Sequence, residues 1–107
     1  MNTLIFKALN DPTRRQILEM LRAGSLTAGE IAEACQVGKP TVSHHLDILR
    51  QAELIEEERQ GQFRRYHLNT SVVEDVMVWL GGLLEAPKPA AKKAGAALKK
   101  FKPGTSS

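Results

Sequence analysis

The sequence predicts a mainly α-helical fold with a small β-hairpin, in the order α-α-α-α-β-β-α. Apolar residues recur at helical spacing in four consecutive segments before residue 53. Two strand-like runs follow at residues 54–59 and 63–68, and the Gln60-Gly61-Gln62 segment between them is typical of a hairpin turn. A last helical pattern, over residues 71–85, completes the predicted fold.

The first two helices are predicted over residues 3–9 and 12–22. Asp11 is placed to cap the second helix, because its carboxylate can accept hydrogen bonds from the free amides of the first turn. Pro12 suits the first helical position, where no amide hydrogen is needed. Local chemistry therefore marks the start of the second helix as clearly as the periodicity does.

The third and fourth helices are predicted on either side of a tight turn. Thr27 and Glu30 form a capping-box pattern, in which each side chain bonds the backbone amide of the other residue. Gly38 is expected to supply the positive φ that a sharp corner requires. The fourth helix is expected over residues 39–52.

Length and composition indicate one folded domain followed by a tail. The chain has 107 residues, 42% of them hydrophobic and 5% aromatic, which suits a modest helical core. Residues 1–85 carry nine Lys and Arg against twelve Asp and Glu, a net charge of −3, whereas residues 86–107 carry six lysines and no acid. We expect residues 1–85 to fold and residues 86–107 to be a disordered basic tail, since the tail cannot bury enough apolar surface to offset its ordering entropy.

Cysteine content and hydropathy bear on the location of the protein. Cys35 is the single cysteine, so no internal disulfide can form. The sequence shows neither an apolar run long enough to cross a bilayer nor a secretory leader. From these features we expect a cytoplasmic protein without membrane insertion.

The fourth helix has two faces of different chemistry. At about 100° per residue, Val42, Leu46 and Leu49 share a side that should be buried. Polar side chains at the N-terminal end of the opposite side can bond to base edges or phosphates, and the helix N-terminus itself favours phosphate. An ordinary solvated helix face is the alternative interpretation. The tight turn before this helix and the hairpin after it favour a winged helix-turn-helix domain, which places the helix in the major groove of DNA.

Two adjacent histidines, His44 and His45, lie on this helix. Their side chains point about 100° apart, so they cannot easily chelate one ion. His44 is predicted to contact DNA. His45 borders the core face, and both a structural role and a phosphate contact stay open for it.

The hairpin combines charges of both signs. Three consecutive glutamates, residues 56–58, would repel DNA, whereas Arg59, Arg64 and Arg65 would attract it, so only the tip and the return strand are expected to approach the backbone. Of the three arginines, Arg59 and Arg64 are the expected DNA contacts. A charged hairpin that resists edge pairing is the alternative. The return-strand residues expected to pack are Phe63, Tyr66 and Leu68. The predicted DNA-binding residues are Lys39, Thr41, Ser43, His44, His45, Arg59, Gln62 and Arg64.

Three segments resemble one known family. Ala-Leu-Asn-Asp-Pro-Thr-Arg-Arg-Gln-Ile-Leu-Glu-Met-Leu (residues 8–21), Lys-Pro-Thr-Val-Ser-His-His-Leu-Asp-Ile-Leu (39–49) and Arg-Arg-Tyr-His-Leu (64–68) are similar to the arsenic-repressor (ArsR-type) family of bacterial winged-helix transcription regulators. The resemblance covers about residues 2–85. It implies a homodimer, joined through the first and last helices, that binds an imperfect inverted repeat near a promoter and usually represses it.

The last helix supports the expectation of a dimer. Its apolar residues cover an arc of about 160°, whereas one packed neighbour needs about 100°. Ser71 and Glu74 form a second capping-box pattern at its start. The predicted interface residues are Leu4, Val76, Trp79, Leu80, Leu83 and Leu84.

The metal sites of the family are expected to be missing. The resemblance places Thr27 and Gly29 where metal-sensing relatives have a Cys-x-Cys pair, and the last helix lacks histidine. No metal and no cofactor are therefore expected, and Cys35 is expected to be a buried structural thiol. The chain resembles metal-free autorepressors, some of which are relieved by sequestration onto another protein. Sequestration, a small ligand and the absence of an inducer all stay open.

Two other classes of function were weighed. The negative charge of residues 1–85 would suit a winged-helix protein-interaction module that has lost DNA binding. An enzyme is not expected, because the sequence offers no nucleophile–base pair, phosphate loop or metal cluster. The main prediction is a dimeric, sequence-specific DNA-binding regulator.

Overall fold

The computed structural model of the chain describes residues 1–85. The predicted disorder of the tail, residues 86–107, concerns residues that lie outside this range. The described helices are α1 (Ile5–Leu9), α2 (Pro12–Met20), α3 (Ala28–Cys35), α4 (Lys39–Gln51) and α5 (Thr70–Gly82), with a 3-10 turn at Leu21–Ala23. The described strands are β1 (Leu26–Thr27), β2 (Ile55–Gln60) and β3 (Phe63–Leu68).

The predicted order of helices and hairpin is confirmed, with one strand added. β2 and β3 form the antiparallel hairpin, and β1 pairs with the other edge of β3, giving the sheet order β1-β3-β2. Leu26 lies opposite Tyr66 in this added pairing. A strand of two residues is too short to show an alternating pattern, which is why the sequence did not reveal it.

The core lies between the helices and the sheet. Val42, Leu46 and Leu49 are 0–1% exposed, which confirms the predicted buried side of α4. The largest fully buried side chains are Ile5, Ile17, Ile31, Leu46, Leu49 and Val42. Because α4 is anchored by one apolar side, its polar side is held outward.

Two predicted helix starts are confirmed in detail. The Asp11 carboxylate accepts a hydrogen bond from the backbone N–H of Arg14 at 3.1 Å, and this bond lowers the pKa of Asp11. The capping box is complete, since Glu30 N–H donates to Thr27 Oγ1 at 3.2 Å and Thr27 N–H donates to Glu30 Oε1 at 2.8 Å. The latter bond lowers the pKa of Glu30.

Two local predictions are wrong. Gly38 has φ −71°, and the left-handed residue of the turn is Gln36, with φ +58°, which ends α3. The chain changes direction at the C-terminal end of α3 rather than at the N-terminal end of α4. The last helix begins at Thr70, so Ser71 lies inside its first turn and cannot be its N-cap.

Cys35 is only partly buried, whereas a buried thiol was expected. Its Sγ lies 3.9 Å from Sδ of Met20, and burial raises the pKa of the thiol. The side chain packs against the core from its edge. A raised pKa disfavours the reactive thiolate.

The chain divides into two units, Met1–Met77 and Val78–Ser107. The first contains every element up to the first turns of α5. Of the second, residues 78–85 are described: they form the end of α5 and a turn in which the N–H of Leu83 donates to the carbonyl of Leu80.

Candidate nucleic-acid interface

The N-terminal half of α4 presents a short polar surface. Lys39, Thr41, Ser43 and His44 are all exposed, and the exposure of His44 confirms the outward side predicted from the helical spacing. Pro40 occupies the first turn, so one unpaired amide is already absent there. The remaining free N–H groups of this turn give the helix end a partial positive charge that favours phosphate.

A depression of about 340 Å³ lies between the start of α3, the start of α4 and the hairpin. Its lining residues are Thr27, Ala28, Gly29, Lys39, Ser43, Gln62, Phe63, Arg64 and Tyr66. Four of the predicted DNA-binding residues, Lys39, Ser43, Gln62 and Arg64, are thus brought together although 25 positions separate the first from the last.

Positive charge is concentrated in this depression. The Lys39 side chain passes beside Gly29, in the first turn of α3. A methyl group in place of the Gly29 hydrogen would lie 3.7 Å from Cε and 3.9 Å from Nζ of Lys39. An ammonium beside a helix N-terminus adds to the positive end of the helix dipole instead of cancelling it. Together with the Arg64 guanidinium, this arrangement suits a phosphate group.

The arginines of the hairpin have different surroundings. Arg59 and Arg64 are directly opposite in the β2–β3 register. Nε of Arg64 lies 3.3 Å from Oε2 of Glu57, and Nε of Arg50 lies 3.7 Å from Oε1 of the same carboxylate. Glu57 therefore competes with any phosphate for the Arg64 side chain.

Arg65 is held by protein groups. Its Nε donates to Oγ of Ser25 at 3.0 Å, its Nη2 donates to the Ser25 carbonyl at 2.9 Å, and Nη2 lies 3.8 Å from Oε1 of Glu30. The side chain thus ties β3 to the segment before α3. This role agrees with leaving Arg65 out of the predicted DNA-binding set.

His45 lies apart from the other predicted DNA-binding residues. Its side chain is only 13% exposed, and its Nδ1 lies 3.2 Å from Nη1 of Arg14 and 4.0 Å from Oδ2 of Asp11. Of the two roles left open by the sequence, this environment favours the structural one.

Phe63 was expected to pack, and that prediction is wrong because its side chain is 65% exposed. Neighbouring strand residues face opposite sides of a sheet. Phe63 and Tyr66 are three residues apart, so they could not both face the core. Tyr66 is 8% exposed and Leu68 is partly buried, as expected. Strand alternation was the signal in the sequence that could have identified Phe63 as a surface residue.

The predicted interface residues differ in how much surface they offer. In the first unit, Leu4 is 39% exposed, whereas Val76 is 9% exposed and belongs to the core cluster, so it has little surface left for a partner. In the second unit, the exposed fractions are 47% for Trp79, 46% for Leu80, 65% for Leu83 and 90% for Leu84. The sequence analysis missed Phe6, Met77 and Val78, which are also exposed.

Two further kinds of site, for a metal ion and for a membrane span, are absent from residues 1–85. Across residues 1–85, no group of three or more His, Cys, Asp or Glu side chains is placed to hold a metal ion. The helices of this part of the chain are all too short or too polar to cross a membrane.

Comparison with known proteins identifies the class. A helix-turn-helix followed by a hairpin wing defines a winged helix-turn-helix domain. The model of the family described as bacterial regulatory protein, arsR family, matches residues 11–57. The chain is 54% identical over 76 residues to the transcriptional repressor SdpR of Bacillus subtilis (strain 168), an alignment that covers 71% of this chain and 84% of SdpR. It is 36% identical over 73 residues to the arsenical resistance operon repressor of Staphylococcus aureus, covering 68% and 70%.

Solved structures agree with these relatives. The crystal structure of an ArsR family transcriptional regulator is 31% identical, with a TM-score of 0.69 over 79% of this chain and 91% of that one. A solution structure of a homodimeric winged helix-turn-helix DNA-binding domain from Mycobacterium bovis is 27% identical, with a TM-score of 0.64 over 76% and 75%. The chain belongs to the ArsR family of bacterial regulatory proteins, and the resemblance noted in the sequence is confirmed.

Proposed function

We propose that this protein is a dimeric, sequence-specific DNA-binding transcriptional repressor that binds an inverted-repeat operator. The observation that carries the proposal is the depression that gathers Lys39, Ser43, Gln62 and Arg64 beside the exposed N-terminal end of α4. A recognition helix and a wing that share one positive surface can contact base edges and the adjoining phosphates together. The names of the relatives, a transcriptional repressor and an operon repressor, support the same function.

Each residue of the proposed interface has a role that follows from its position. Thr41, Ser43 and His44 face the major groove and bond to base edges. Lys39 bonds to phosphate beside the start of α3, and three residues of the wing contact the backbone: Arg59, Gln62 and Arg64. We add Phe63 to this set, since an exposed ring beside Arg64 can pack against the sugars of the groove wall.

The dimer brings two recognition helices to one duplex. Exposed apolar residues just before α1, at the end of α5 and in the turn after it supply the contacts with the partner: Leu4, Trp79, Leu80, Leu83 and Leu84. Burying them removes apolar surface from water. A two-fold dimer binds two half-sites related by inversion, which is why the operator is expected to be an inverted repeat.

The remaining expectations complete the proposal. The protein has no catalytic activity, needs no cofactor and works in the cytoplasm, where chromosomal DNA is present. Residues 1–85 are the DNA-binding and dimerisation domain. The six lysines of residues 86–107 add attraction to phosphates that does not depend on base sequence.

A protein-interaction module that has lost DNA binding is the second candidate. The net charge of −3 in residues 1–85 favours it, because a negative domain is repelled by DNA at long range. The distribution of charge within the domain favours DNA binding instead, since Lys39 and Arg64 flank the recognition helix.

Selection from a pool of random duplexes tests the proposal. The full chain is expected to enrich an inverted repeat whose half-site centres are separated by one DNA turn, about 10–10.5 base pairs, or a multiple of it. Enrichment of a single unrepeated site would contradict the dimeric arrangement. A pool that stays random after repeated rounds would contradict DNA recognition and leave the interaction module as the better candidate.

A further inference from the structure

The side chain of Arg14, on α2, joins two other helices. Its Nε donates to the carbonyl of Ala8 at 2.7 Å, and its Nη2 donates to the carbonyl of Lys7 at 3.3 Å. Both carbonyls belong to the last turn of α1, where C=O groups lack partners within the helix, and that of Lys7 also accepts from the N–H of Asn10 at 3.2 Å. Arg14 therefore caps the C-terminal end of α1 from outside.

The same guanidinium reaches the recognition helix. Its Nη1 lies 3.2 Å from Nδ1 of His45, and the His45 side chain is 13% exposed. His45 adjoins His44, whose exposed ring is centred 6.0 Å away. Loss of the contact between Arg14 and His45 would therefore also change the position of His44, which is proposed to face the major groove.

We propose that Arg14 and His45 are a positioning pair, which fixes α4 against the end of α1 and holds only while His45 is neutral. The inference rests on the proposed DNA-binding function. Neither residue touches DNA in this account. The pair instead sets the position of α4 relative to α1, the helix that directly follows the exposed Leu4 of the proposed dimer surface.

Proton chemistry makes the pair conditional. A guanidinium only donates hydrogen bonds, so Nδ1 of His45 must be the accepting nitrogen and the ring proton must lie on Nε2. Protonation would put a hydrogen on Nδ1 and place two positive groups 3.2 Å apart. The contact would then be repulsive.

The other charged groups around His45 do not replace the lost bond. Asp11 Oδ2 is 4.0 Å from Nδ1, beyond hydrogen-bond distance, and would attract a protonated ring, but from farther away than the 3.2 Å at which Arg14 would repel it. Charges of both signs lie farther away, in the groove that Lys7, His44 and Asp47 line together. Arg14 is thus the nearest charged group to the His45 ring. Acidification is therefore expected to loosen α4 from α1.

The sign of the pH effect separates His45 from His44. Protonated His44 would add a positive charge near phosphates and strengthen binding, whereas protonated His45 would release the recognition helix and weaken it. The chain has three histidines, at positions 44, 45 and 67, so the double variant His44→Gln with His67→Gln leaves His45 as the only imidazole.

Fluorescence anisotropy with the selected duplex measures the effect on the full chain. In the double variant, affinity is expected to fall about tenfold once the pH is lowered far enough to protonate His45, because the bond from Arg14 is then lost. Adding His45→Gln, whose amide oxygen can still accept from Arg14, is expected to keep the affinity at pH 7.5 and abolish the fall. The proposal would be overturned if operator affinity fell equally with pH in the double variant and in the variant that adds His45→Gln, or if affinity in the double variant did not fall at all.

Arg14→Lys tests the other half of the pair. This variant keeps the positive charge but loses the planar guanidinium, whose three nitrogens reach the carbonyls of Ala8 and Lys7 and Nδ1 of His45. Operator affinity is therefore expected to fall about tenfold. Arg15→Lys is the matched control, because Arg15 makes a single side-chain bond, to the carbonyl of Leu9 at 2.8 Å. Equal effects of the two changes would overturn the role of Arg14.

Nitrogen-15 NMR of the free protein separates a failure of this pair from a failure of DNA binding. At pH 7.5 the His45 ring is expected to carry its proton on Nε2, and Arg14→Ala is expected to move the Nδ1 resonance downfield, because Nδ1 then loses the hydrogen bond that it accepts. A ring with its proton on Nδ1, or an Nδ1 resonance that Arg14→Ala leaves in place, would overturn the pair even if the protein binds its operator. The expected tautomer together with the expected movement supports the pair even if no operator is found, in which case only the proposed function fails.

Discussion

Nε of Arg64 lies 3.3 Å from Oε2 of Glu57, yet the two groups are not aligned for a hydrogen bond. Within residues 1–85, this buried oxygen has no hydrogen-bond partner. Arg64 is 58% exposed, whereas Glu57 is 21% exposed and has a second cation, Arg50, 3.7 Å from its Oε1. Arg50 therefore still balances the charge of Glu57 when Arg64 turns to a phosphate.

Glu57→Gln is expected to raise operator affinity about two- to fivefold, because it frees Arg64 and removes a negative charge near the backbone. Anisotropy titration at fixed salt measures this gain. Glu19→Gln, an equal change of charge on α2, is the control and should have little effect. A loss of affinity in Glu57→Gln would mean that Glu57 orients Arg64 for binding instead of competing with DNA.

His44→Ala is expected to weaken operator binding by about 1–3 kcal/mol, the usual contribution of one good base contact. Binding to unrelated duplexes should change little, since a base contact carries specificity. Gln51→Ala provides the control, because Gln51 is exposed at the opposite end of the same helix. Unchanged operator affinity in a folded His44→Ala protein would remove His44 from the interface.

Leu80→Glu is expected to abolish both the dimer and operator binding. Leu80 is 46% exposed, and a carboxylate cannot be buried there without a partner. Sedimentation at micromolar concentration should give twice the chain mass of 11.8 kDa for the wild type and the single mass for the variant. Thr70→Glu adds the same charge to the exposed first turn of α5 and should stay dimeric. A wild-type monomer that binds the operator at full affinity would contradict the dimer.

Zinc, cadmium and arsenite are expected not to release the protein from its operator. Thr27 and Gly29 stand where a thiolate pair would be needed, and Thr27 is already engaged in the capping box of α3. Gel-shift assays with each ion at micromolar concentration test this expectation. Release that a chelator reverses would show that a metal site exists.

Features set by neighbouring residues could be predicted from the sequence. The Asp11 cap, the Thr27–Glu30 capping box and the buried side of α4 each depend on residues within one or two helical turns. Local bonding and helical spacing determine such features almost alone.

Features that depend on distant contacts could not be predicted. The pairing of Leu26 with Tyr66 joins residues 40 positions apart, and the bond between Arg14 and His45 joins residues 31 positions apart. The spacing of residues along the sequence does not show which distant residues meet in the fold. For this reason both a structural role and a phosphate contact stayed open for His45.

The salt dependence of binding to the selected duplex tests the central claim most directly. If each protomer engages phosphates through Lys39, Arg59 and Arg64, the dimer neutralises about six phosphates through this surface. The logarithm of the binding constant should then fall with the logarithm of salt concentration with a slope of at least about −5 in magnitude, and more steeply where the lysines of residues 86–107 add their contacts. A slope near zero would contradict DNA recognition through this surface.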